Sequence, residues 1–164
     1  MRSVFLRVFT VTSALALLSV LAQFYFAGVG AFHRPFDHDG FWLHALNAGV
    51  VQGLALINAI AAAVARAGKG TIGLAALPFL LVNVQYGIFA LTALFIPTGT
   101  PTDADGIPLV VEGPPNLVIA LHVVNALTIL WVSVVVLRRA RRLAARPARV
   151  EAPAAEPAVP AGQA

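Results

Sequence analysis

Residues 4–30 read VFLRVFTVTSALALLSVLAQFYFAGVG, a run of apolar and small residues broken by one charge, Arg7. The hydrocarbon core of a bilayer is about 30 Å thick, which roughly 20 apolar helical residues span. The stretch meets that length, and Arg7 lies near enough to its start for the side chain to snorkel to the interface. Three further stretches, 40–65, 71–96 and 116–137, also meet that length and carry no charge inside them. The spacing predicts an all-α, polytopic membrane four-helix bundle over residues 1–139, with spans at about 4–30, 40–65, 71–96 and 116–137. Pro78 falls inside the third span and predicts a kink there. Residues 32–39 and 97–115 read as loops, and Ala67-Gly68-Lys69-Gly70 as a tight turn.

The composition agrees. Of 164 residues, 59% are hydrophobic and 11% charged, against about 25% charged in soluble domains. Mean hydropathy is +0.85. The surplus of apolar side chain must face lipid. The net charge is +4, but the basic residues sit at the ends of apolar runs, so the partner they imply is the lipid bilayer and not nucleic acid. There is no cysteine, which excludes disulfides, thiolate metal sites and covalent haem attachment.

Placing the N-terminus inside puts ten of the eleven Lys and Arg residues on the cytoplasmic side and only Arg34 outside. The positive-inside rule therefore predicts a bacterial plasma-membrane protein with both termini cytoplasmic. The first span has features of a secretory signal, but its apolar run exceeds the usual 7–15 residues of one, and it takes part in a repeat. Residues 140–164, basic and then rich in Ala and Pro, predict an anionic-lipid contact followed by a disordered cytoplasmic tail.

The repeat joins the two halves. Leu43-His44-Ala45-Leu46-Asn47-Ala48 in the second span matches Leu121-His122-Val123-Val124-Asn125-Ala126 in the fourth, both reading L-H-x-x-N-A. The first span carries Gln23-Phe24-Tyr25 and the third Gln85-Tyr86, so each odd span has a glutamine followed by an aromatic. These matches predict two repeated helical hairpins related by a two-fold axis along the membrane normal. On the second span His44, Asn47, Val51, Ala55 and Asn58 fall on one stripe. On the fourth, His122, Asn125, Ile129 and Ser133 do so, and on the first Thr12, Ala16, Ser19, Gln23 and Ala27. Intramembrane polar groups face the bundle interior, so the stripes should point at one another and the histidines should meet at one level.

Three readings of that pair stand. Two facing imidazoles can ligate the iron of one haem b, with a backbone carbonyl one turn back on the same helix, or Asn47, Asn125, Gln23 and Gln85, taking the second ring N–H. Arg34 and His33 would then receive the propionates, and Phe24, Tyr25, Phe26, Trp42 and Tyr86 would wall the ring. Such a protein is an electron carrier, exchanging electrons with quinone or a membrane redox partner. Alternatively the histidines are structural, holding a non-catalytic accessory or interaction subunit together. The third reading is copper or zinc, with His33 and His38 completing the site; Asp37 and Asp39 flank that loop, and Asp39 otherwise reads as the cap of the second span. No phosphate loop, H-E-x-x-H or nucleophile motif is present, which points away from a hydrolase or transferase.

Four spans with Gln-aromatic in the odd ones and His in the even ones resemble a small family of bacterial four-span membrane proteins. The Arg/Ala/Val-rich composition is similar to that of actinobacterial members. The likeness covers about residues 4–138 and implies topology without a function. More loosely, the facing histidines look like those of cytochrome-b-type four-helix membrane proteins. Those commonly carry two haems on four histidines. One pair here implies at most one.

Overall fold

The computed structural model describes residues 2–34, 39–101 and 113–145. Four helices account for nearly all of them: α1 Arg2–Phe32, α2 Trp42–Val64, α3 Lys69–Ala93 and α4 Pro114–Ala144, with a short 3-10 turn, Asp39–Phe41, leading into α2. Each contains a stretch long and apolar enough to cross a membrane. A helix satisfies its own backbone polar groups, as lipid requires. The chain is thus an integral membrane protein by length and composition. Among the described residues there is no β-strand.

α1 packs on α2 and α4, and α3 packs on α2 and α4, while α1–α3 and α2–α4 make no comparable contact. The helices therefore stand at the corners of a square in chain order, with the two histidine-bearing helices on one diagonal. Contacts are densest within the pairs α1–α2 and α3–α4, the two hairpins of the repeat.

The end of the bundle that carries both termini is closed by small residues. Phe9, Ala62, Ala75 and Ala140 are wholly buried there, with Ala65 and Val136 beside them. Alanine lets helix backbones approach closely, the usual basis of packing in lipid, where apolar burial adds no drive. A second cluster, Val20, Val51, Val82 and Ile129, fills the middle with one residue from each helix. Leu18, Leu46, Leu117, Val124 and Trp131 are exposed on the outside, where acyl chains would cover them.

The predicted stripes face inward. Ala16, Ser19, Val51, Ala55, Asn58, Asn125, Ile129 and Ser133 are buried. Pro78 lies buried within α3, which continues past it as one helix. Several details differ from expectation. The residue capping α2 is Phe41, and no side chain makes a cap hydrogen bond there, so Asp39 opens the 3-10 turn and does not cap the helix. α4 extends to Ala144 and so carries Arg138, Arg139, Arg141 and Arg142 as helix. Arg66 at φ 51° and Gly68 at φ 90° turn the chain between α2 and α3. Asp37, His38, Arg146, Arg149, residues 102–112 and the tail after 145 lie outside the described residues.

Candidate intramembrane histidine site

At the end opposite the termini, the rings of His44 and His122 face each other across the diagonal with centroids 6.0 Å apart and planes inclined at 51°. His44 stands two residues into α2 and His122 eight into α4. They meet because α4 starts farther out. Both are half-buried.

Each ring is held by the preceding helix of its own hairpin. In the first, His44 Nδ1 lies 3.1 Å from the main-chain oxygen of Gln23, and Gln23 Nε2 donates to the main-chain oxygen of His44 at 2.9 Å. Asn47 Nδ2 donates to Ser19 O at 2.9 Å and to Gln23 Oε1 at 2.6 Å. In the second, Asn125 Nδ2 donates to Leu81 O at 2.8 Å and also to Gln85 Oε1, while Gln85 Nε2 meets His122 Nδ1. The equivalence of Gln23 with Gln85, His44 with His122 and Asn47 with Asn125 is therefore structural. The carbonyl that serves His44 comes from the neighbouring helix and not from one turn back on its own.

The rings and both glutamines line a cavity of about 200 Å³ whose other walls are apolar, among them Val20, Val51, Val82 and Ile129. Phe24 on α1 and Val123 on α4 also line it and are exposed, so the cavity reaches the outside of the bundle along the α1–α4 seam.

Of the aromatics expected around the rings, Phe24 lines the cavity. Tyr25, Trp42 and Tyr86 are exposed on the outside, as interfacial residues are, and Phe26 packs edge-on to Tyr25. The rings instead meet two aromatics that the sequence reading missed: Phe89, 4.9 Å from His122, and Phe41, 6.3 Å from His44. The signal was present. Phe89 is four residues after Gln85 and Phe41 three before His44, spacings that share a helix face.

Arg34 is exposed, and its Nη1 donates to Ala31 O at 3.3 Å and His33 O at 2.7 Å. The guanidinium turns back on the C-terminal carbonyls of α1, as cations there commonly do, rather than reaching toward the cavity. Among the described residues no group of three or more His, Cys, Asp or Glu is placed to hold a metal ion.

A second polar contact lies closer to the termini. Thr12 Oγ1 and Ser13 Oγ each sit 2.9 Å from Asn58 Oδ1. Ser13 is buried and went unremarked in the sequence. At the offsets that carry Gln23 to Gln85 and His44 to His122, the matching positions of the second hairpin are the apolar Leu74, Ala75 and Val136, so the hairpins correspond at the histidine level and diverge below it.

Residues 23–93 match a family of unknown function, DUF6220. The match is less than half of the chain. It takes in Gln23, His44, Asn47 and Gln85 and stops at the end of α3, before His122 and Asn125. No curated protein and no solved structure matches the chain. The likeness to cytochrome-b-type proteins accordingly rests on the residue pattern alone.

Proposed function

We propose that this chain is a b-type mono-haem electron carrier of the bacterial plasma membrane, with His44 and His122 as axial ligands and both termini cytoplasmic. The observation that carries the reading is the 6.0 Å between ring centroids. Two imidazoles sharing one metal through bonds of about 2.0–2.1 Å put their centroids roughly 6 Å apart. His44 Nδ1 faces a main-chain oxygen of the neighbouring helix, the kind of contact that orients metal-binding histidines.

The fit has one demanding element. A cavity of about 200 Å³ is below the roughly 300–1,000 Å³ of most ligand sites, so a macrocycle must spread the α1–α4 seam where the cavity already meets the surface. Haem would supply one-electron exchange. The residues of this chain would orient the imidazoles, exclude water with valine and isoleucine walls, and leave one edge toward the membrane. Quinone or a membrane redox partner would meet that edge. Arg2, Arg7, Arg66, Lys69, Arg138, Arg139, Arg141 and Arg142 at the end with the termini support the cytoplasmic orientation.

A second reading is favoured by a specific observation. Among the described residues no buried side-chain nitrogen or oxygen lacks a hydrogen-bond partner, so the two polar sets are also complete as packing contacts of a non-catalytic accessory subunit. The readings separate in a reduced-minus-oxidised visible spectrum of membranes overexpressing the chain. A haem b spectrum that disappears in His44→Ala supports the carrier. Colourless protein under haem supply leaves the packing role.

A further inference from the structure

The two hairpins repeat the same residues but not the same hydrogen bonds. Which end of an amide is nitrogen can be decided by following it to a partner that has only one role. In the second hairpin Asn125 Nδ2 lies 2.8 Å from the carbonyl of Leu81, which only accepts. The same nitrogen reaches Gln85 at its oxygen, so the amide nitrogen of Gln85 faces His122 Nδ1. An amide nitrogen only donates. Nδ1 of His122 therefore accepts, and the neutral ring carries its proton on Nε2.

In the first hairpin the chain of contacts ends differently. Asn47 donates to Ser19 O and to Gln23 Oε1, as its counterpart does, but Gln23 Nε2 donates to the main-chain oxygen of His44 instead of the ring. The ring nitrogen Nδ1 of His44 is left facing the main-chain oxygen of Gln23 at 3.1 Å. A carbonyl only accepts, so Nδ1 bears the proton and Nε2 keeps its lone pair.

We infer that the hairpins hold His44 and His122 as opposite tautomers, His44 offering a bare Nε2 as a ligand nitrogen and His122 an Nε2–H as a hydrogen-bond donor. Neither Nε2 has a partner among the described residues, and both rings line the same cavity. The pair is chemically unequal in a site whose sequence motif is symmetric. The consequence for metal binding rests on the haem reading: His44 would hold the group in its resting tautomer, the one that metal-binding imidazoles adopt. His122 can ligate through Nε2 only after the proton moves to Nδ1, which requires the Gln85 amide to turn its oxygen to the ring and give up Asn125.

The tautomers are read without any cofactor by two-bond proton–nitrogen correlation spectra of ¹⁵N-histidine-labelled protein in detergent, at a pH where both rings are neutral. His44→Gln and His122→Gln assign the two resonance sets by their loss. The expected result is a protonated Nδ1 with a bare Nε2 for His44, and the reverse for His122. The same tautomer in both rings, or an exchange-averaged pattern in either, overturns the inference whatever the haem result. A colourless protein with the expected pattern overturns only the haem reading.

Discussion

The ring of Phe41 stands edge-on to that of His44, with centroids 6.3 Å apart and planes at 89°. It reaches that place because Gly30 of α1 has no side chain. A Cβ at Gly30 would come within 2.5–2.7 Å of three Phe41 ring atoms. The close approach of α1 to the 3-10 turn thus sets one wall behind His44.

Gly30→Ala should displace Phe41 and loosen His44. Overpacking of this kind costs about 1–3 kcal/mol. Reversible unfolding in mixed micelles measures the loss. Wild-type stability in the variant would mean that Phe41 moves aside freely and does not buttress the ring.

Asn125 joins Leu81 O to Gln85 and through it to His122. Asn125→Leu removes two interhelical hydrogen bonds, each worth about 0.6 kcal/mol in bilayer proteins, so a loss of about 1 kcal/mol is expected. Val84→Ala, at an exposed position on α3, is expected to change stability by less than about 0.5 kcal/mol. If both variants behave alike, the polar set contributes nothing to holding the hairpin.

At the opposite end Ala62 is completely buried in the cluster that includes Phe9, Ala75 and Ala140. Ala62→Leu has no room and should cost about 1–3 kcal/mol. Because the cluster is separated from the histidines by the Val20–Val51–Val82–Ile129 layer, the histidine resonances should keep their positions. Their displacement would show the two ends to be coupled.

Arg34→Gln removes a charge that the structure spends on the last carbonyls of α1. Haem affinity, measured by titration of apoprotein, should stay within about twofold of wild type, a difference of roughly 0.4 kcal/mol. A tenfold loss would restore the propionate contact expected from sequence.

The spans were legible because a bilayer imposes a length and a composition that four stretches meet. The inward stripes were legible because helical periodicity places Ser19, Asn58 and Asn125 on definite faces, and all three are buried. The aromatics were misjudged by depth without phase. A helix turns about 100° per residue, so Tyr86 points away from the face of Gln85, whereas Phe89 shares it. Hydrogen-bond roles were beyond reach. Nothing in the L-H-x-x-N-A repeat distinguishes a glutamine that bonds a main-chain carbonyl, as Gln23 does, from one that bonds a ring, as Gln85 does. The two helix pairs share one register, each Asn reaching the main-chain oxygen four residues before its Gln, so the difference lies in the side chains alone. Arg34 likewise had an anionic partner by charge, but the nearest acceptors were on its own helix end.

The central claim, that His44 and His122 together form a cofactor site, is tested most directly by titrating purified apoprotein with haem beside the His44→Ala/His122→Ala double variant, followed by absorbance and by gel filtration. The account predicts one haem retained per wild-type chain and none per double-variant chain, with both proteins eluting as folded species. Equal haem retention by the two, or none by either, would contradict it.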